Sequence, residues 1–302
     1  MTVLSVLRRN RLPKVQPPYR DAFVLSGGGS LGAIQVGALQ ALLGAGIRPD
    51  VLVGCSVGAL NATFVAIDPT SARMAELEAL WLGLTRADIF AASKRSIAGH
   101  VVRRDTHLYE PDGLRDLVDR LVPARDLSDL AVPLHVVTTD LISGQPVWWT
   151  SGDPRKVLVA SASLPALFPP VDLAGSLHVD GGVACPVPVQ RAIDLGAERI
   201  WVLDVTGGSL GRRDERMNAL DVLLTSFAIS RYRLAQFEIP DPPVRPVIPM
   251  PRVELGRHEL RDFSRTAELI AMGREAGLRM VHDETARAGM PAPRSVEDRV
   301  RS

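Results

Sequence analysis

The sequence predicts an α/β fold, a three-layer sandwich with a mostly parallel central sheet flanked by helices. Three observations carry that expectation. Short apolar runs alternate with stretches of helical period, glycine-rich turns join the first two strand–helix pairs, and the composition suits a chain with a full buried core. Apolar residues are 46% of the 302 residues and charged residues 23%, values that exclude a wholly disordered chain. The 35 Lys and Arg against 34 Asp and Glu leave a formal charge of +1, so no overall field favours nucleic acid or another charged partner.

Met1 to Arg20 places a short apolar patch before Arg and Pro, the reverse of a signal peptide's order, and reads as an irregular leader. Ala22 to Ser26 is an apolar run ending at three glycines, and Gly32 to Leu43 then recurs at helical spacing through Ile34, Leu39, Leu42 and Leu43. Val51 to Cys55 repeats the pattern, with a helix from Val57 to about Ala66. Further strands are expected at Leu134 to Thr139, Val157 to Ala160, Leu177 to Val179 and Ile200 to Val205, interleaved with helices over Leu114 to Leu121 and Val189 to Leu195. Such interleaving argues for a sheet covered on both faces.

The polar, Arg-rich stretch from Thr85 to Asp112 reads as a surface excursion, and Gly207 to Glu215 as a second break. Met217, Leu220, Leu223, Leu224 and Phe227 then share one helix face, an apolar stripe suited to docking on the core or on lipid. Pro240 to Pro251 reads as a linker or edge segment, followed by a helix from about Leu260 to Ala288 with Leu269, Met272, Ala276 and Met280 on one face. Residues 21–190 are thus expected to form the core, 191–290 to add a strand and helices to the same domain, and 291–302 to fray. No run approaches the roughly 18 apolar residues that span a bilayer, so the expected location is cytoplasmic or peripheral to a membrane.

Gly27-Gly28-Gly29-Ser30-Leu31-Gly32 matches G-x-G-x-x-G, a pattern that after a first strand suggests a dinucleotide turn. That reading needs an acidic residue at the end of the second strand, where Val51 to Gly54 instead leads into Cys55 and Ser56. No Gly-Lys-Ser/Thr follows, which excludes a P-loop, and no Cys/His spacing resembles a zinc site. Neither cofactor nor metal is expected. The turn has a better use beside an acyl-transfer site, with Gly27, Gly28, Gly29 and Gly32 forming an oxyanion hole from backbone N–H groups.

Gly54-Cys55-Ser56-Val57-Gly58 is G-x-S-x-G at a strand–helix junction, the context of a nucleophile elbow. Gly54, Val57 and Gly58 would shape the bend, and Ser56 would be presented at the carboxyl edge of the sheet. A serine needs a general base, usually His, and six histidines are available: His100, His107, His135, His178, His258 and His282. None lies in a motif of its own. His178 is the strongest of them, because in a strand it shares a face with Asp180. Asp180 itself ends a short apolar strand directly before Gly181 and Gly182, where a sheet gathers functional groups.

These motifs together resemble the bacterial patatin-like phospholipases. The glycine turn, G-x-S-x-G and Asp180-Gly181-Gly182 occur in the family's order, and Ala160 to Pro170 is similar to its A-S-x-x-x-P-x-x-F-P-P stretch. Phe263 to Met280 resembles the terminal helix of bacterial members. The resemblance implies a Ser-Asp dyad without histidine, Ser56 as nucleophile and Asp180 as base, acting on a lipid or other acyl ester with peripheral membrane contact. Trp148, Trp149, Leu167 and Phe168 would line an acyl pocket or touch a membrane, or else pack in the core. One departure stands out: the family carries Arg or Lys in the glycine turn where this chain has Leu31, so that cation is absent or comes from another residue. Two other readings use the same residues differently, a soluble esterase, thioesterase or acyltransferase, and an inactive lipid- or protein-binding module.

Overall fold

The computed structural model describes residues 19–90, 106–208, 219–238, 247–255 and 258–287. The expected leader, apart from its last two residues, the tail, and parts of both surface breaks and of the Pro-rich stretch lie outside them. Eight strands form one sheet: β1 Asp21–Leu25, β2 Val51–Cys55, β3 Leu134–Asp140, β4 Pro146–Trp149, β5 Val171–Leu173, β6 Ser176–Asp180, β7 Arg199–Leu203 and β8 Val247–Pro249. Their order is β5-β6-β3-β2-β1-β7-β8, with β4 also paired to β3. The run β3-β2-β1-β7-β8 is parallel, whereas β4 and β6 pair antiparallel with β3, and β5 with β6.

Strand alternation divides the apolar residues between two faces. Phe23, Leu25, Leu52 and Leu203 join one core cluster, and Ala22, Val24, Val53 and Val202 the other. The first face carries α1 Gly32–Gly44, α2 Val57–Ile67, α3 Ser71–Gly83, α4 Arg86–Ile89, α5 Asp112–Leu121 and α6 Pro154–Ser161; the second carries α7 Val189–Asp194. Two further helices are α8 Ala219–Glu238 and α9 Thr266–Arg287. α9 crosses α1 so closely that a Cβ on Gly37 would collide with the Ile270 carbonyl, and one on Gly273 with that of Ile34. Glycine at both positions lets two backbones meet. This is the three-layer sandwich that the alternation predicts, and among the described residues no helix is long and apolar enough to cross a membrane.

Two local expectations change, and a third resolves to one of its alternatives. Val157 to Ala160 is not a strand but the middle of α6, because the Asp153 side chain caps the helix by accepting the Arg155 N–H and Pro154 occupies its first turn. The terminal helix begins at Thr266 rather than Leu260, since Leu260 offers its carbonyl to the Ser30 N–H and Asp262 closes a turn on the Ser264 N–H. In the Pro-rich stretch, β8 forms an edge strand that ends at Pro249, where a missing N–H is tolerated. The stripe on α8 packs Leu220, Leu224 and Phe227 against the core while Leu223 is half exposed, and Met217 lies outside the described residues.

Candidate active site

Register along β3 brings the two motif residues together. Cys55 of β2 lies opposite Val137, and Asp180 of β6 lies opposite Thr138, the next residue along. Ser56 follows Cys55 with φ 54° and ψ −126°, a left-handed conformation that a non-glycine residue adopts only when its surroundings enforce it. Its flanking glycines supply the room: a Cβ at Gly54 would fall 2.6 Å from the Ala59 Cα, and one at Gly58 would strike the Leu25 carbonyl. The Ser56 N–H donates to Ser161 Oγ at 3.0 Å, and that hydroxyl donates to the Val137 carbonyl at 2.7 Å, so the bend is tied to α6 and β3.

The Ser56 hydroxyl donates to Asp180 Oδ2 at 2.6 Å, and Asp180 Oδ1 accepts the Gly182 N–H at 2.7 Å. Gly181 is required by space, since a Cβ there would meet the Val137 carbonyl. The carboxylate is fully buried. Burial pushes its pKa up, while nearby Arg231, the Ser56 hydroxyl and the Gly182 N–H pull it back.

His178 stands elsewhere. Its Nδ1 pairs with Thr138 Oγ1 at 2.9 Å and its ring packs edge-on against Trp149. Burial lowers its pKa, opposed by Asp140 and Asp172. His135 meets Arg191 and is lowered by burial to about 4, His258 pairs with Ser30, and His282 is exposed on α9. Among the described residues no histidine bonds Ser56; His100 lies outside them.

The glycine turn sits against the elbow. Gly27 already gives its N–H to the Pro186 carbonyl and Gly32 gives its own to Gly29 and Ser30, so neither has a donor to offer an oxyanion. Their requirement is steric: a Cβ at Gly32 would strike Val57 and come within 2.8 Å of Trp81. Among the described residues the N–H groups of Gly28 and Gly29 find no acceptor, and Val57 opens α2 with an N–H that no helical carbonyl can take.

Ser56 and Gly29 line an apolar cavity of about 70 Å³ together with Leu60, Trp81, Phe90, Leu117, Phe168 and Phe263 among others. Of the four residues considered for an acyl pocket, only Phe168 lines it. Leu167 is buried in the core beside it. Trp148 and Trp149 belong to β4, where Trp149 donates to Thr138 Oγ1 and Trp148 lies beneath Arg191. Among the described residues no group of three His, Cys, Asp or Glu side chains is placed to hold a metal.

The sequence reading missed Arg231. It is 4% exposed, and its Nε and Nη2 have no hydrogen-bond partner among the described residues. A Cβ at Gly27 would strike its Nη2, and one at Gly182 would fall 2.8 Å from its Nε. Its signal was the period of α8: Leu220, Leu224, Phe227, Arg231 and Ala235 fall on one face, with a charge in an apolar row.

A sandwiched sheet whose glycine turn, serine elbow and Asp-Gly-Gly turn converge at one edge is the patatin-like architecture. The chain belongs to the patatin-like phospholipase family, whose profile matches residues 23–193. It is 28% identical to patatin-like phospholipase domain-containing protein 7 of Rattus norvegicus over 68% of this chain and 15% of that protein. It is also 28% identical to an uncharacterized NTE family protein of Mycobacterium bovis, over 66% of this chain and 53% of that one. The chain therefore spans about half the length of these relatives or less. The crystal structure of VipD from Legionella pneumophila is 14% identical with a TM-score of 0.47, over 89% of this chain and 68% of that one.

Proposed function

We propose that this chain hydrolyses carboxylic esters of lipids through an acyl-Ser56 intermediate, with Asp180 as general base. The observation that carries the reading is the 2.6 Å hydrogen bond from the Ser56 hydroxyl to a buried carboxylate, beside an apolar cavity that Ser56 lines. Asp180 takes the hydroxyl proton as Oγ attacks the acyl carbon, and the former carbonyl oxygen becomes an oxyanion held by the Gly28 and Gly29 N–H groups with the α2 N-terminus behind it. Collapse breaks the ester C–O bond, and the departing alcohol takes the proton from Asp180. Water then attacks the acyl-enzyme, giving its proton to the same carboxylate, and the fatty acid leaves as Oγ recovers a hydrogen.

An aspartate in water, with a pKa of about 3.9, is a weak base at neutral pH. Burial pushes Asp180 upward, in the direction a general base needs. The apolar cavity favours an acyl chain over a polar acyl group, because burying methylenes yields roughly 0.8 kcal/mol each.

Labelling with a fluorophosphonate, together with rates on short soluble esters and on phospholipid vesicles, tests the reading. Ser56 should label, Ser56→Ala should not, and vesicle lipid should turn over. Labelling with turnover of short esters alone would make the chain a soluble esterase. Folded wild-type protein that neither labels nor turns over either substrate would leave a binding module.

A further inference from the structure

We propose that Arg231 is a positioning residue of the dyad, the internal counter-charge of the Asp180 carboxylate, delivered from α8 to the back of the glycine turn. The inference rests on the Ser56–Asp180 reading above and adds a third charged group to it.

A guanidinium keeps its charge in any protein environment, and burying it without a partner is costly unless an opposite charge lies near. Arg231 is buried, stacks at 5.6 Å over the Phe227 ring of its own helix, and leaves Nε and Nη2 unpartnered among the described residues. Asp180 is the fully buried opposite charge on the other side of Gly182. The absent Cβ of that glycine would lie 2.8 Å from Arg231 Nε and 3.0 Å from Asp180 Oδ1. Gly27 completes the fit: its absent Cβ would strike Arg231 Nη2 and lie 3.2 Å from the Ser56 Cβ. Two glycines of two motifs thus make room for one side chain from a third element.

The elements packed around Asp180 otherwise present neutral groups: Ser56 from the elbow, Thr138 and Thr139 from β3, Ser163 after α6 and Gly182 from its own turn. The nearest ionisable neighbours on β3 and β6, Asp140 and His178, are engaged with Ser176 and Thr138. Among the described residues Arg231 is the charged group whose field acts on Asp180, and it opposes the effect of burial.

The arrangement keeps the site near neutrality through the reaction. The negative charge starts on Asp180, moves to the tetrahedral oxyanion when the carboxylate takes the Ser56 proton, and meets the same fixed cation throughout. Arg231 and Leu31 line one cavity of about 10 Å³ with Gly28, Val205, Thr206 and Leu260. A cation thus reaches the glycine turn from α8, while the turn itself carries Leu31 where the family has Arg or Lys.

The test compares pH profiles of kcat/KM for a soluble ester in wild type, Arg231→Met, Arg231→Gln and Arg231→Lys, each checked for folding by circular dichroism. With the cation removed, Asp180 should hold its proton to higher pH, so the acid limb of the Met and Gln profiles should move up by about one unit or more, with kcat reduced at least about tenfold. Lysine keeps the charge and should keep the limb near the wild-type position. A folded Met or Gln variant with the wild-type limb overturns the inference, as does a Lys variant whose limb moves one unit or more. Should the neutral variants not fold, the Lys profile alone decides between these outcomes. Ser56→Ala and Asp180→Asn run beside them separate the two claims: if these retain activity the dyad reading fails, and if they lose it while the limb stays fixed only the role of Arg231 fails.

Discussion

The ladder between β3 and β6 holds two aspartates in opposite circumstances. Asp180 lies opposite Thr138 at the inner end, where burial raises its pKa and the Ser56 hydroxyl reaches it. Asp140 lies opposite His178 at the outer end, where the Ser176 hydroxyl and the N–H groups of Ser143 and Ile142 hold it well below the usual carboxylate range. The two residues are the same chemical group a few ångströms of sheet apart. Surroundings, more than identity, suit one to taking a proton and the other to closing a turn.

The largest expected effect falls on the inner end. Ser56→Ala should abolish fluorophosphonate labelling and cut turnover by more than about a thousandfold, and Asp180→Asn should cut it by about a hundredfold or more. His178→Gln, on β6 opposite Asp140, should stay within about twofold; a loss matching that of Asp180→Asn would return the base role to histidine.

The pH profile sharpens the contrast. Asp180 must be ionised to accept a proton, so activity should rise with pH through its folded-state pKa, and because that pKa is raised the limb should sit above the ordinary value of about 3.9. Asp140→Asn should leave the limb where it is. Its effect should be a small loss of thermal stability at neutral pH: a depressed carboxylate stabilises the fold above its unfolded pKa, so the difference from wild type should shrink as pH falls below about 4. A difference that grew toward acid pH would reverse the assignment.

A smaller effect should follow at the bend. Ser161→Ala removes the acceptor of the Ser56 N–H, and a loss of about 1 to 3 kcal/mol in denaturant unfolding is expected from a buried donor left unpaired.

Much of this site was legible because its motifs are local. A glycine turn after β1 and G-x-S-x-G after β2 encode their own backbone geometry, and Asp180-Gly181-Gly182 encodes a strand end. The apolar runs of β1, β2, β3 and β7 were equally plain, being buried on both faces. What stayed hidden was set by tertiary contact. Val157 to Ala160 has the composition of a strand, and only the cap at Asp153 and Pro154 marks it as helix. β4 and β5 are short and half exposed, with no sustained alternation. The withdrawal of Gly27 and Gly32 as donors depends on Pro186 and on a short 3-10 turn. Arg231 read as one of many arginines until the fold set α8 beside Gly27 and Gly182.

A relay of side chains, two of which also line the apolar cavity beside Ser56, gives this molecule a practical constraint. Trp81 donates to Asn61 Oδ1, Asn61 donates to Gln35 Oε1, and Gln35 donates to the carbonyls of Ser26 and Leu203, all at 2.8 to 3.2 Å. Ser26 is the residue from which the glycine turn departs. On the acyl-hydrolase reading proposed above, trimming Trp81 to admit bulkier acyl groups would remove one end of the relay that reaches Ser26, at the base of the turn assigned to the oxyanion. Selectivity is better sought at Leu117 or Phe168, whose side chains touch the cavity and take no part in that relay.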